Sequence, residues 1–292
     1  MNDQSHPHLL LAQTRYGQFL FFRNDDPIGS CLQYYGEWAQ QEFDLFDQLL
    51  TPTSNVIDIG ANIGTHSVYF SRKCQEGLVM SIEPQMFIFE ILAANLLLNG
   101  CYNVMPMHAA CSSETKQLSM NNINPFHGKK INYGEFKINS SNTSGILTNC
   151  VKLDSLMSQV IGQKKVNFIK LDVEGHEEEV LSGGENLMRS HRPMMYIEFN
   201  NKKGNDPLLE KLLTLDYEPY WHIYPKHNPN NFNKQSKNVW EEDTYQINEH
   251  NLDRRYESNV LCVHKKEEQP QGLLKVMKGS NITNMLFDLG YL

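Results

Sequence analysis

Apolar positions along the chain change period several times, and each change marks an element. Residues 8–23 read HLLLAQTRYGQFLFFR, two apolar runs flanking Tyr16-Gly17, which predicts a β-hairpin. In residues 36–50, GEWAQQEFDLFDQLL, Trp38, Glu42, Leu45 and Leu49 fall at helical spacing, with Phe46 and Leu50 beside them. An amphipathic helix is expected there, stopped by Thr51-Pro52-Thr53-Ser54. From residue 55 onward, strand and helix patterns alternate. Strands are expected at 55–60, 78–84, 103–111 and 166–173, and after Pro193 in PMMYIEFN. Helices are expected at 63–73, 85–99, 153–161, 176–190 and 207–215. Residues 112–150 are polar and rich in Asn, Ser and Gly, and are expected to form an irregular hairpin. YEPYWHIY (217–224) and SNVLCVHK (258–265) read as a last strand pair, separated by a polar stretch with scattered aromatics.

This alternation predicts an α/β fold with a doubly wound, mostly parallel sheet and helices on both faces. Three units are expected: an N-terminal hairpin and helix (1–54), the alternating domain (55–266), and a tail (267–292) carrying one loosely docked helix. Parallel crossovers are right-handed, and ligands sit outside the carboxyl ends of the strands. The ends to watch are 58–64, 83–84, 109–111, 172–174 and 198–200.

Composition narrows the classes. With 292 residues, 40% hydrophobic and 21% charged, the chain is neither disordered, collagenous nor a coiled coil. No run approaches the roughly 20 apolar residues that cross a bilayer. The start, MNDQSHPHLLL, lacks the basic and long apolar regions of a signal peptide. Lys plus Arg number 26 against 34 for Asp plus Glu, a net charge of -8, so no nucleic-acid partner is expected. Six cysteines, at 31, 74, 101, 111, 150 and 262, form no C-x-x-C pair and read as reduced thiols of a cytoplasmic protein. Sequons at Asn139, Asn142 and Asn281 are read as chance in an Asn-rich chain.

The first strand end carries candidate chemistry: Asp58-Ile-Gly60-Ala-Asn62-Ile-Gly64. Gly60 allows a turn at positive φ and a close ligand approach, and Gly64 lets the next helix pack against the strand. The helix N-terminus offers free N–H groups to an anion. Glu83, 23 residues after Gly60, stands where an acid accepts bonds from two ribose hydroxyls. The turn reads D-x-G-x-N-x-G rather than G-x-G-x-x-G, and Asp58 would repel a pyrophosphate. A nucleoside bearing an amino-acid carboxylate and a cationic centre suits it better.

VIDIGANIGTHSVYFS (56–71), SIEP (81–84), HAACSS (108–113), VKLDSL (151–156), NFIKLDVEGHEEEVLSGG (167–184) and RPMMYIEFN (192–200) together resemble the FkbM-type S-adenosylmethionine-dependent methyltransferases. The resemblance covers about residues 34–265, and the I-K-L-D-V-E-G-H-E block with its downstream L-x-G-G is its most specific part. It implies a Rossmann-like class I fold and S-adenosylmethionine as cofactor. It places Asp58, Gly60, Asn62 and Gly64 on the methionine part, Glu83 on the ribose, and Ala109 and Ala110 at the adenine. Tyr35 or Glu37, in the YGEW segment (35–38), is expected to touch the cofactor. Ala61, Thr65, Pro84 and Asp172 complete the expected cofactor set.

Methyl transfer is an in-line displacement, and a hydroxyl acceptor needs a base. Lys170, Asp172 and Glu174 share one face of a strand by period two, and Asp172 at its mouth is the first candidate base. Its alternative role is a helix cap. His66, in the first turn of the first helix of the domain, is the second candidate. Glu174, His176, Glu198, Trp221 and His222 are expected to line the acceptor side, where dense aromatics suit a glycan or small polar ring. Asp172, Glu174 and Glu198 also offer oxygens to Mg²⁺, but with no Asp-Asn pair after the fifth strand of the domain no metal is expected. The expected reaction is O-methylation of a glycan or small-molecule hydroxyl, with no membrane partner. A nicotinamide-dependent oxidoreductase and an inactive cofactor-binding module remain as alternatives.

Overall fold

The computed structural model describes residues 7–120, 124–126, 128–134, 145–156, 164–199, 207–241, 255–281 and 284–286. The chain opens with the expected hairpin: β1 (Leu9–Thr14) pairs antiparallel with β2 (Gly17–Phe22), Thr14 opposite Gly17. A short helix α1 (Ile28–Tyr34), which periodicity did not reveal, precedes α2 (Gln40–Leu49). Then come β3 (Val56–Ile59), α3 (Thr65–Lys73), β4 (Val79–Glu83), α4 (Met86–Leu98) and β5 (Val104–His108). A three-stranded side sheet follows, of β6 (Ala110–Cys111), β7 (Lys116–Met120) and β8 (Ile146–Val151), in order β6-β8-β7. Its β7–β8 pair is the stem of the expected hairpin. The sequons at 139 and 142 lie outside the described residues.

Next come α5 (Leu153–Leu156), β9 (Phe168–Leu171), α6 (Glu177–Gly183), α7 (Glu185–His191), β10 (Met194–Glu198) and α8 (Pro207–Thr214). The rest of the helix expected at 153–161 lies outside the described residues. The single helix expected at 176–190 is two, broken at Gly183-Gly184. A Cβ on Gly183 would sit 2.1 Å from the Ser112 carbonyl oxygen, so the helix passes there only as glycine. The last strands, β11 (Tyr217–Pro225) and β12 (Tyr256–His264), pair antiparallel over nine residues.

The main sheet runs β11-β12-β10-β9-β3-β4-β5. Strands β10, β9, β3, β4 and β5 are mutually parallel, and β12 runs against both its neighbours. This is the doubly wound, Rossmann-like order of class I methyltransferases. Alternation decides the two faces. Ile57, Ile59, Met80, Ile82, Ile169 and Leu171 enter one core layer with α6 and α8. Val56, Val79, Phe168, Tyr196 and Leu261 enter another with Phe43 and Phe46 of α2 and Tyr69 and Phe70 of α3. Phe43 stacks on Tyr69 with ring centroids 4.3 Å apart. That aromatic packing pins α2 over the strand ends.

The polar position in the apolar stripe of α4 is a clamp. Asn95 is fully buried; it accepts from Leu20 N at 2.7 Å and donates to the carbonyls of Leu20 and Ile63 at 3.0 and 2.8 Å. It thereby ties the hairpin to the turn after β3. The tail docks more closely than expected. Leu274 O accepts from Trp221 N, and Val276 N donates to Pro219 O, both at 2.8 Å, so residues 274–276 extend the β11 edge. Val276, Met285 and Leu286 are buried in the main core. Among the described residues, no helix is long and apolar enough to cross a membrane. All six cysteines are buried and free.

Candidate active site

Strand order reverses at β3, which has β4 on one side and β9 on the other. A crevice must open beyond the carboxyl ends of such a pair. A cavity of about 470 Å³ occupies it, within the roughly 300–1,000 Å³ range of small-molecule sites.

The turn after β3 shapes one end. Gly60 has φ 79°, and a Cβ there would lie 1.8 Å from the Asp172 carbonyl oxygen. Its bareness thus serves the approach of the β3 and β9 turns, not a ligand alone. Gly64, at φ 92°, would push a Cβ to 2.7 Å from Leu92, which seats α3 against α4. Asn62 also has positive φ (49°), and its N–H donates to Glu83 Oε2 at 3.0 Å. Gln85 N donates to Glu83 Oε1 at 2.8 Å. Glu83 is almost fully buried, and each oxygen retains a second acceptor position. Burial pushes its carboxyl up to about 7, against the pull of those two N–H groups and with a further push from Asp58 and Asp172. Ala61, Thr65, Pro84, Ala109 and Ala110 line the same end of the cavity.

Two expected cofactor residues lie beneath the wall. Asp58 has no exposed surface; Ser67 Oγ donates to its Oδ2 at 2.6 Å, and Ser81 Oγ donates to Ser67 Oγ at 2.8 Å. Gly64 is likewise absent from the lining, because it faces Leu92. Tyr35 and Glu37 do reach the cavity, but Glu37 is already engaged. Arg15 Nη2 pairs with it at 2.7 Å, and Asn228 Nδ2 and Phe232 N donate to it at 2.6 and 2.8 Å. It staples the hairpin turn to the segment after β11.

The other end gathers β9, β10, α2 and the β11–β12 pair. Lys170 is buried, and its Nζ donates to Asp172 Oδ2 at 3.0 Å. Desolvation opposes its charge, but Asp172, Asp58 and Glu42 outweigh it and hold the ammonium well above the ordinary lysine value. Asp172, Glu174 and Glu198 bring carboxylate oxygens within 4.8 Å of one another. Burial, then the charges of Asp172 and Glu174, push Glu198 well above the carboxylate range. Glu174 holds φ 56° beside Gly175 at φ 90°, and Glu177 Oε1 accepts from Val173 N and Gly175 N at 3.2 and 3.1 Å. Glu177 therefore secures the loop that presents Asp172 and Glu174.

His66 lines the cavity, with its Nε2 2.7 Å from Glu42 Oε2. Glu42 also accepts from Tyr224 Oη at 2.5 Å and Asn259 Nδ2 at 2.9 Å. Periodicity placed Glu42 on the apolar line of α2 without giving it a task. A carboxylate on a stripe otherwise made of Trp38, Leu45 and Leu49 was the available signal, since such groups are buried only when paired.

Three expected acceptor residues are corrected. Trp221 faces away from the cavity and packs on Phe199 at 5.4 Å, because β11 alternation sends residues 221 and 223 into the core layer below the sheet. Tyr224, from the opposite face, reaches the cavity instead. His222 stops short, its Nδ1 2.6 Å from Tyr196 Oη. His176 stands at the N-cap position of α6 without a side-chain bond to its backbone, and its Nε2 lies 3.0 Å from Ser112 Oγ, outside the lining. Residues 242–254, in the polar stretch between β11 and β12, and Asn200 lie outside the described residues. Lys226, paired with Glu257 at 2.9 Å, is a lining cation not anticipated from the sequence.

The family model of the methyltransferase FkbM domain matches residues 58–219. Methyltransferase 1 of Beauveria bassiana is 24% identical over 174 residues, covering 55% of this chain and 70% of that protein. The hexuronic acid methyltransferase AglP of Haloferax volcanii is 32% identical over 134 residues, covering 46% of this chain and 51% of its own. Among solved structures, the FkbM methyltransferase of Methylobacillus flagellatus aligns with TM-score 0.43 and 16% identity, over 73% of this chain and 44% of that one. The chain thus spans about half the length of the Haloferax protein and less than half of the solved chain.

Proposed function

The chain belongs to the FkbM methyltransferase family, and on that premise we propose that it moves a methyl group from S-adenosylmethionine to a hydroxyl of a glycan or small polar metabolite. The observation that carries this reading is a single cavity joining Glu83 at one end to His66, Lys170 and Asp172 at the other. Glu83 supports a ribose diol, since both its oxygens can accept further bonds in a buried setting. Ala109, Ala110 and Pro84 supply small apolar walls for a base. Asn62, Thr65 and Asp172 border the space between. The bound donor supplies an electrophilic methyl on a cationic sulfur. Asp172 adds negative charge on that side of the cavity, with Lys170 fixing its carboxylate.

A hydroxyl acceptor is supported by the presence of a proton acceptor on the wall, and a sugar by the Haloferax relative, named for a hexuronic acid. The test is a screen of pyranosides, uronic acids and small hydroxyl compounds, reading S-adenosylhomocysteine release. Turnover on any hydroxyl compound supports the proposal. Turnover confined to amines or thiols removes the O-methylation part.

The oxygens of Asp172, Glu174 and Glu198, within 4.8 Å of one another, favour a second reading in which a divalent cation orients the acceptor. The raised Glu198 carboxyl favours a shared proton there instead.

A further inference from the structure

We infer that His66 takes the proton from the acceptor hydroxyl, and that Glu42, fixed by Tyr224 and Asn259, sets the imidazole tautomer that lets it do so. The inference rests on the methyl-transfer reading above.

Glu42 is a buried carboxylate at the cavity wall; the Tyr224 hydroxyl and the Asn259 amide donate to it, and the His66 ring lies against it. Glu42 Oε1 accepts from both Tyr224 Oη and Asn259 Nδ2, the pattern of a carboxylate, and its Oε2 faces His66 Nε2 at 2.7 Å; a carboxylate only accepts, so Nε2 carries the proton. Nδ1 is then the ring's lone-pair position. Its contact is the Thr65 hydroxyl at a long 3.4 Å, and Thr65 and His66 both border the cavity. An acceptor hydroxyl can replace that contact.

The other candidate base is less free. Asp172 is bound by the Lys170 ammonium at 3.0 Å. Away from the cavity, His66 packs against the rings of Phe43, Phe46 and Phe70.

In the step, the acceptor O–H bond breaks and its proton passes to Nδ1. The acceptor oxygen uses a lone pair to form the new C–O bond, while the donor's C–S bond breaks and its pair returns to sulfur. The imidazolium so formed lies against the Glu42 carboxylate, as a base held by an orienting acid requires.

Glu42→Gln makes the test sharp. Tyr224 and Asn259 both donate to Oε1, so they hold the amide oxygen on their side. The amide NH₂ then faces His66 Nε2 and forces the ring proton to Nδ1, the wrong tautomer. Ring-¹⁵N NMR of the protein with S-adenosylhomocysteine reads this directly. The expected result is an Nε2–H ring in the wild type and an Nδ1–H ring in the variant. Turnover on an acceptor from the screen should fall by about 10²–10⁴ with S-adenosylhomocysteine affinity unchanged. An Nε2–H ring in the variant overturns the role of Glu42. A switched tautomer with wild-type turnover overturns the role of His66. Should Glu42→Gln not fold, His66→Gln decides: full turnover refutes the base assignment. Failure of the wild type to bind S-adenosylhomocysteine instead refutes the methyl-transfer reading itself.

Discussion

Replacing Glu83 with glutamine probes the donor end of the cavity with little change of shape. In the wild type each carboxylate oxygen accepts one backbone N–H, from Asn62 and Gln85, and has one position left for a ribose hydroxyl. Glutamine keeps one such oxygen. The other hydroxyl loses a charge-assisted bond worth ~1.5–3 kcal/mol, and the surviving bond loses its ionic part. The sum is about 2–4 kcal/mol, or ~30- to 1,000-fold in dissociation constant. The raised Glu83 carboxyl, at about 7, adds a pH signature. Ribose hydroxyls donate to the ionised form, so binding must displace the proton that burial favours. Wild-type affinity for S-adenosylhomocysteine should therefore rise with pH through about 7 and level off above it. Between pH 8 and pH 6 the wild type should weaken by about tenfold and the variant should not, so the gap narrows by that factor. The same raised value means that Glu83 contributes to apo-protein stability below the ordinary Glu range, and that this contribution is lost as pH rises through about 7. Calorimetric titration of both proteins at the two pH values is the assay. A variant within threefold of wild type at pH 8, with an unchanged melting midpoint, would refute the ribose assignment.

Asp172→Asn should fold, bind S-adenosylhomocysteine within a few-fold, and lose turnover by less than His66→Gln; a larger loss returns the base role to Asp172. Gly60→Ala should lower the melting midpoint by ~5 °C or more, since a Cβ there meets the Asp172 carbonyl at 1.8 Å and the residue holds φ 79°; a midpoint within a degree of wild type would show that the β9 turn can retreat. Turnover should survive EDTA; its loss, with recovery on Mg²⁺, would establish a cation at Asp172, Glu174 and Glu198.

Much of the fold was legible because period and punctuation agree. The hairpin, the alternating strands and the final strand pair all appear near their expected positions. The misses come from contacts distant in sequence. The helix expected through residue 190 is broken because Gly183 passes the Ser112 carbonyl, a contact between residues 71 positions apart. The tail pairs with β11 through main-chain bonds that no side-chain pattern announces. At the site, strand-end reasoning brought Glu83, Asp172, Glu174 and Glu198 to one cavity. It overreached at Trp221, where aromatic density was read without the facing that β11 alternation imposes. It passed over Glu42 because a helix stripe is read for its apolar members. The charged member at 42 meets His66, Tyr224 and Asn259 from three other elements. Only the tertiary fold brings those together.

The central claim is that the cavity holds S-adenosylmethionine and the chain uses it as methyl donor. Calorimetric titration of the wild-type protein, with S-adenosylmethionine in one series and reduced nicotinamide dinucleotide in another, tests it most directly. The account predicts one-to-one binding of S-adenosylmethionine and no heat from the dinucleotide, because the turn after β3 lacks the second close-approach glycine and buries Asp58 beneath it. Dinucleotide binding without S-adenosylmethionine binding would contradict it.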